Sequence, residues 1–107
     1  MNIVKDKLPA LVTEELEAAL GKHPRFASAH EGYAVLLEET EEAAEELADL
    51  TNAVRQVWAG VRRDDATSIR VWAAEAYRRA TDLAAEAIQA AAMAQKLMDG
   101  LKEMVQV

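Results

Sequence analysis

The chain has 107 residues, no cysteine and a formal net charge of -7, which suits one small domain and excludes disulfides and thiolate metal sites. The negative charge argues against a nucleic acid polymer as the main partner, because phosphate backbones bind basic surfaces. No apolar run reaches the roughly 20 residues of a membrane span, and residues 1–6 lack a signal-peptide core, so we expect a cytoplasmic protein.

Alanine, leucine and glutamate dominate the sequence, and glycine and proline are scarce, which predicts helix almost throughout. The first predicted helix is short and covers about residues 8–20. Pro9 suits its first turn, and Gly21 suits the position just past its end. Residues 23–27 are predicted to be a connector, because Pro24 disfavours helix at the residue before it.

The second predicted helix covers about residues 29–62 and begins with a capping signature. Ser28 can accept a hydrogen bond from a first-turn amide, while Glu31 reaches back toward the helix start. Apolar residues then keep helical spacing up to Val61. One alternative is a break within residues 49–52, because Asp, Thr and Asn side chains compete for backbone hydrogen bonds.

The third predicted helix covers about residues 66–99 and follows a turn in which Asp64 or Asp65 can act as the cap. Asp99 and Gly100 form a stop signal, after which the tail adds a turn or frays. Two long helices joined by a short turn must pack antiparallel, and the alanine-rich third helix allows a close approach of the backbones. The predicted fold is therefore an all-α helical bundle.

A hairpin of two helices encloses too little core by itself. We expect Trp58, Trp72 and the other apolar positions opposite the core to meet a second copy of the chain, because aromatic residues at helical spacing favour core or interface positions. The predicted assembly is a homodimer or a homotetramer that completes the bundle.

Acidic residues on the second helix divide between two faces. At 100° per residue, Glu39, Glu42 and Glu46 fall on a flank that borders the apolar stripe. Three other glutamates fall on the side of the helix that faces water: Glu38, Glu41 and Glu45. Charge beside a core requires a cation or a metal ion, and oxygen ligands select Mg²⁺ or Mn²⁺.

The third helix carries a matching acidic flank with Glu75, Asp82 and Glu86, and antiparallel pairing brings Glu86 opposite Glu39 and Glu42. Two simpler interpretations compete with a metal site. Glutamate-rich helices commonly carry solvated faces, and Arg79 shares the acidic flank of the third helix, where it can neutralise these carboxylates without a metal.

Two sequence blocks resemble a known family. Residues 28–42, SAHEGYAVLLEETEE, and residues 83–94, LAAEAIQAAAMA, resemble the first and second motifs of the MazG-like, all-α nucleoside triphosphate pyrophosphohydrolases. The similarity is to the phage and prophage branch, which implies a bacterial or phage-infected cell. The family binds Mg²⁺ through an E-x-x-E pair on one helix and an E-x-x-D pair on another.

The resemblance implies specific ligands and a reaction. The first pair corresponds to Glu39 and Glu42, and the second to Glu86 and Gln89. Gln89 departs from the motif, because an amide offers a carbonyl oxygen but no charge. The implied reaction converts a nucleoside triphosphate and water to a monophosphate and pyrophosphate, with the metal ion holding phosphate oxygens and activating water. The resemblance assigns no catalytic base.

Lys22, Arg25 and His30 are weaker candidates, placed where they can contact the phosphates or base of a substrate. Each has a simpler interpretation as an exposed surface residue. Two further functions remain open from the sequence: a non-catalytic helical assembly or interaction protein that keeps the scaffold, and an acidic helical protein that binds a basic partner.

Overall fold

The computed structural model describes residues 2–105. Over this range the chain forms three helices and no strand: α1 (Asn2–Lys22), α2 (Ala29–Arg62) and α3 (Ala66–Val105). The predicted all-α fold, with two long helices and a shorter amino-terminal helix, is confirmed. The homodimer or homotetramer expected from the sequence stays a prediction.

The start of α2 is capped by the two residues predicted from the sequence. The Ser28 hydroxyl accepts a hydrogen bond from the Glu31 amide at 3.1 Å. The Glu31 carboxylate reaches back one residue beyond Ser28 and accepts from the Ala27 amide at 3.0 Å. Both bonds satisfy amides that an uncapped helix would leave without a partner.

The turn between α2 and α3 closes one helix and opens the next. The Asp65 amide donates to the Gly60 carbonyl at 3.0 Å and the Asp64 amide donates to the Val61 carbonyl at 3.1 Å, which is the bond pattern of a Schellman motif. Asp64 takes the left-handed conformation this motif requires, with φ of 52°. The Asp65 carboxylate then accepts from the Ser68 amide at 3.0 Å and caps α3.

Helix boundaries differ from the sequence prediction at both ends of the chain. The first helix begins at Asn2 rather than near residue 8, so Pro9 lies inside α1, not in its first turn, and Gly21 lies within the helix rather than past its end. The neighbouring residues of α1 are exposed, so water can satisfy the carbonyl that loses its partner at Pro9. The third helix continues through Asp99 and Gly100 as far as Val105.

Helix α2 is continuous from residue 29 to residue 62, without the break considered at residues 49–52. Thr51 donates its hydroxyl hydrogen bond to the Leu47 carbonyl at 2.9 Å. The side chain therefore bonds within the helix instead of drawing the backbone out of it. Residues 106–107 of the predicted tail lie outside the described residues.

The described chain divides into two compact units. The first unit contains residues 2–40 and 86–105, that is, α1, the start of α2 and the end of α3. The second unit contains residues 41–85, that is, the rest of α2, the turn and the start of α3. The single domain expected from the sequence stays a prediction.

Small residues allow close helix contact within each unit. In the first unit, a Cβ added at Gly32 would lie 2.6 Å from Leu97 Cδ1 and 3.0 Å from Phe26 Cδ2. In the second unit, a Cβ at Gly60 would lie 3.0 Å from Ile69 Cγ1. These contacts join the start of α2 to the end of α3 and the end of α2 to the start of α3, which is antiparallel packing.

Candidate metal centre

Three of the predicted ligands lie together. One carboxylate oxygen from each of Glu39, Glu42 and Glu86 lies within 4.8 Å of the other two. Glu39 and Glu86 belong to the first unit. Glu42 follows Glu39 by one turn of the continuous helix α2, so helix geometry fixes its position beside Glu39.

Gln89, the fourth predicted ligand, bridges two of these carboxylates. With its amide oriented so that nitrogen faces the carboxylates, Gln89 donates to Glu39 Oε2 at 3.1 Å and to Glu86 Oε2 at 3.3 Å. The orientation is assigned from these partners. Rotation of the amide by 180° would turn its carbonyl oxygen toward the same point, where it can serve as a neutral metal ligand.

The spacing of these oxygens suits one hard divalent cation. Opposite ligands of an octahedral Mg²⁺ lie about 4.2 Å apart, because each Mg–O bond is about 2.1 Å. Oxygens that already lie within 4.8 Å of one another therefore need only small side-chain rotations to bind an ion. The arrangement can hold a cation and leave positions open for water and for phosphate oxygens.

Glu46 does not belong to this cluster, although the sequence places it on the same flank of α2. In the second unit, Glu46 Oε2 lies 3.5 Å from Arg79 Nη1. Arg79 also donates to Asp49 Oδ2 at 2.9 Å and to Glu75 Oε1 at 2.8 Å. We call Glu46, Asp49, Glu75 and Arg79 the arginine cluster.

Two members of the arginine cluster, Glu75 and Arg79, have shifted pKa values. Hydrogen bonds from Arg78 and then Arg79 lower the pKa of Glu75 below its ordinary value, and the Glu75 carboxylate raises the pKa of Arg79. The hypothesis that Arg79 neutralises the acidic flank of α3 thus holds at Glu75, whereas Asp82 lies 3.7 Å from Arg78. Glu86 is not among the carboxylates that bind Arg79.

A cleft of about 590 Å³ opens beside Glu39 and Gln89 in the first unit. Its size lies within the range of small-molecule sites. Residues of α1, the connector, α2 and α3 line it, and the charged and aromatic ones are Glu15, Lys22, His23, Arg25, Phe26, Glu31, Glu39 and Lys96.

Two of the three predicted substrate contacts line this cleft. Lys22 lies at the end of α1 and Arg25 lies in the connector, and both reach the cleft. His30 is exposed in the first turn of α2 and does not line the cleft among the residues that the structure describes, so its role stays a prediction. His23 occupies the cleft wall instead.

Lys96 is a cleft residue that sequence reasoning missed. Its side chain is 7% exposed, and its Nζ lies 4.1 Å from the centroid of the Phe26 ring. The available signal was helical spacing, because Lys96 follows Glu86, Gln89 and Met93 at intervals of three and four residues. These intervals place all four side chains on one face of α3.

Comparison of the chain with protein-family models, curated proteins and solved structures finds no match. The resemblance to MazG-like enzymes therefore stays a prediction. Within residues 2–105, no helix combines the length and the apolar character needed to cross a lipid bilayer.

Proposed function

We propose that this chain is a Mg²⁺-dependent nucleoside triphosphate pyrophosphohydrolase of the MazG-like type, with Mg²⁺ or Mn²⁺ as its cofactor. The observation that carries the proposal is the convergence of the Glu39, Glu42 and Glu86 oxygens within 4.8 Å. Gln89 lies within hydrogen-bond distance of two of these carboxylates and completes the ligand set with a neutral oxygen.

The adjoining cleft supports a phosphorylated substrate. Lys22, Arg25 and Lys96 supply positive charge in a protein that is acidic overall, and Phe26 supplies an aromatic surface. Cationic side chains bind phosphate oxygens as point charges or as bidentate partners. A triphosphate held by these cations would extend toward Glu39 and Gln89, which line the same cleft.

In the proposed reaction, water attacks the α-phosphorus of the nucleoside triphosphate. A new P–O bond forms to the water oxygen, the bond from the α-phosphorus to the bridging oxygen breaks, and pyrophosphate leaves with the electron pair. A bound divalent ion supplies charge neutralisation and a more acidic water. The chain supplies ligands, phosphate-binding cations and a carboxylate that accepts the water proton. We place the activity in the cytoplasm of a bacterial or phage-infected cell.

The experiment combines Mn²⁺ titration calorimetry with pyrophosphate release from a panel of common and modified nucleoside triphosphates. We expect Mn²⁺ to bind the wild type. Glu39→Gln, Glu42→Gln and Glu86→Gln should each weaken binding by roughly ten- to a hundredfold and abolish pyrophosphate release, because each removes a charged ligand.

The matched control is Glu38→Gln, which makes the same chemical change at an exposed position of the same helix. It should leave Mn²⁺ affinity and pyrophosphate release unchanged, and circular dichroism should show the same helix content in all four variants. A wild type that binds no Mn²⁺, or a Glu38→Gln variant that fails equally, would overturn the proposal.

A second candidate function is that of a non-catalytic helical assembly protein. The observation that favours it is the set of large apolar side chains exposed on α2 of the second unit, where Leu47, Val54 and Trp58 are 52%, 55% and 61% exposed. Binding of Mn²⁺ without pyrophosphate release from any nucleotide, together with self-association, would favour this function.

A further inference from the structure

Lys96 is 7% exposed, and its ammonium group has no hydrogen-bond acceptor or anionic partner among the residues that the structure describes. Its contact is with the Phe26 ring, which attracts a cation through its negative face. Such a contact takes up none of the N–H donors of the ammonium group in a hydrogen bond to an acceptor oxygen. The three donors of this group therefore remain available to a ligand.

The position of Lys96 relates it to the candidate metal centre. Lys96 follows Gln89 by seven residues on α3, which puts both on the same face, about 10 Å apart along the helix axis at 1.5 Å per residue. Both line the same cleft in the first unit. A ligand that contacts the carboxylates through a metal ion can contact Lys96 at its other end.

We infer that Lys96 is an anion-binding residue that holds the phosphate chain of the ligand in this cleft. Phe26 packs under its ammonium group and fixes its direction, and the side chain donates hydrogen bonds to phosphate oxygens. The choice of a phosphate chain as the anion rests on the proposed function. The anion site itself rests on the position of Lys96 in the cleft lining and on an ammonium group that lies over Phe26 without an acceptor among the described residues.

The test measures binding of inorganic tripolyphosphate and of a nucleoside triphosphate by calorimetry in buffer that contains EDTA. Lys96→Met keeps a flexible apolar side chain over Phe26 and removes the charge. We expect it to weaken binding of both ligands by about tenfold or more, the usual effect of losing a charge-assisted hydrogen bond. Binding of the nucleoside triphosphate but not of tripolyphosphate would identify a nucleoside contact and overturn the phosphate assignment.

Lys102→Met is the matched control, because Lys102 is an exposed lysine on the same helix. It should leave both affinities unchanged. The stability without ligand separates binding from packing. A binding role predicts that Lys96→Met is at least as stable as the wild type, whereas a purely structural cation–π contact predicts a less stable variant with unchanged affinity, which would overturn the inference.

This experiment also separates the anion site from the proposed enzyme. Glu86→Gln should retain tripolyphosphate binding in EDTA even if it no longer binds Mn²⁺. A chain that binds tripolyphosphate through Lys96 but shows no metal binding would keep the anion site and reject the pyrophosphohydrolase. A wild type that binds neither anion would reject the anion site.

A second inference concerns the second unit, where α2 has two apolar faces. One face packs inside the unit and includes Ala53, which is fully buried. The other is an exposed stripe with spacings of three and four residues, formed by Leu47, Thr51, Val54, Trp58 and Val61. We call it the outer stripe. Such spacing is typical of a coiled-coil seam.

Charges beside the outer stripe change sign along the helix. The flanking positions carry Glu41 near the start of the second unit and Arg55 two heptads further on, with Ala48 midway between them. All three residues are exposed. In an antiparallel pair of such helices, Glu41 of one copy lies beside Arg55 of the partner subunit, and the contact occurs twice by symmetry. Parallel pairing would not bring Glu41 and Arg55 of the two copies together.

The geometry points to a second copy of this chain as the occupant of the outer stripe, paired antiparallel about Ala48. Sedimentation equilibrium should show a wild-type dimer and a largely monomeric Trp58→Glu variant. Because Trp58 is 61% exposed, this change should not alter the helix content of the monomer. Arg70→Glu changes an exposed residue of α3 and should leave association unchanged.

A charge exchange tests the orientation. Glu41→Arg and Arg55→Glu should each weaken the dimer several-fold, and the double variant should restore it, because opposite charges again face each other. A monomeric wild type at high micromolar concentration, a dimer that Trp58→Glu leaves intact, or a double variant weaker than both single variants would overturn the inference.

Discussion

The candidate metal centre and the arginine cluster use the same kind of side chain along one flank of α2, yet they differ in the residue that helix α3 places beside it. Around Arg79, a guanidinium binds Glu46, Asp49 and Glu75 directly. Around Gln89, a neutral amide donates to Glu39 and Glu86. Arg79 contributes a full positive charge to the arginine cluster, whereas the Gln89 amide contributes only a dipole.

This difference teaches that acidic spacing alone does not identify a metal site. Helical periodicity places Glu39, Glu42 and Glu46 on the same flank of α2. What distinguishes them is the residue that lies beside each of them on α3. Seven residues separate Arg79 from Glu86, so the same face of α3 presents a cation in the second unit and a carboxylate in the first. Substitutions that exchange these features test the comparison.

The largest effect is expected from Gln89→Arg, which places a guanidinium between two carboxylates as in the arginine cluster. We expect Mn²⁺ affinity to fall by about a hundredfold or more, because like charges about 4 Å apart repel by up to ~4 kcal/mol before screening by water. The thermal stability in EDTA should rise or stay constant. Calorimetry and thermal unfolding with and without Mn²⁺ measure both quantities.

Gln56→Arg is the control for this prediction, since it makes the same change on α2 of the second unit. It should leave the Mn²⁺ affinity of the chain as it is. Full Mn²⁺ binding by Gln89→Arg would show that position 89 lies outside the metal centre.

Gln89→Asp is expected to raise the Mn²⁺ affinity, the opposite of Gln89→Arg. It introduces the aspartate of the E-x-x-D motif. A further carboxylate beside Glu39 and Glu86 should strengthen Mn²⁺ binding by about tenfold, or 1.4 kcal/mol. The same charge should lower stability in EDTA through like-charge repulsion. The free energy of unfolding, measured by denaturant titration, should therefore increase more on addition of Mn²⁺ in Gln89→Asp than in the wild type. The same increase in both proteins would contradict the ligand role of position 89.

Asp64→Gly lies outside both clusters and measures general stabilisation. Asp64 has a φ of 52°, which glycine adopts without the steric penalty of a Cβ atom. We expect the free energy of unfolding to rise by about 1 kcal/mol, with no change in Mn²⁺ affinity. Urea denaturation gives the first quantity; a less stable variant would mean that the Asp64 side chain itself stabilises the turn.

The smallest effect is expected from Glu75→Gln in the arginine cluster, because partly exposed ion pairs contribute little. The pKa of Glu75 is lower in the folded protein than its ordinary value near 4.5. Its stabilising contribution is therefore complete above pH 4.5 and is lost as the pH falls through the lowered pKa. Unfolding measured at pH 7 and at about pH 3 should show a difference between wild type and variant that shrinks on acidification.

The matched control for the pH prediction is Glu38→Gln, an exposed carboxylate of α2 for which the stability difference should stay small at both pH values. A Glu75→Gln difference that grows as the pH falls would contradict the charge assignment within the arginine cluster.

Rules that involve only residues close together in the chain were sufficient to predict the helical periodicity and the amino-terminal caps of α2 and α3. Ser28 and Glu31 cap α2, and Asp65 caps α3, because these bonds depend only on residues a few positions apart in the chain. Helical periodicity also predicted that Glu39, Glu42 and Glu86 converge. It could not separate Glu46 from them, since that depends on Arg79 of another helix.

The predicted helix ends were wrong at residues whose type disfavours helix without preventing it. Pro9 and Gly100 both lie inside helices. Gln95 donates to the Asp99 carboxylate at 2.8 Å, an interaction across one turn that supports continued helix. Local propensity is a weak prior, and neighbouring contacts override it.

Lys96 was missed because the burial of a long charged side chain depends on a tertiary contact. Its partner Phe26 lies in the connector before α2, far away in the sequence. Periodicity places Lys96 on the same face of α3 as Gln89, but it does not reveal that the connector folds back to cover it.

The turn at Asp64 and Asp65 has a practical consequence for engineering. Its backbone bonds to Gly60 and Val61 and its cap on Ser68 use every residue between α2 and α3. An affinity tag or reporter loop inserted there would have to break the end of one helix and the start of the next. The amino-terminal turn of α1, where Ile3 and Val4 are exposed, is the better place for a fusion, because a peptide joined there interrupts neither cap.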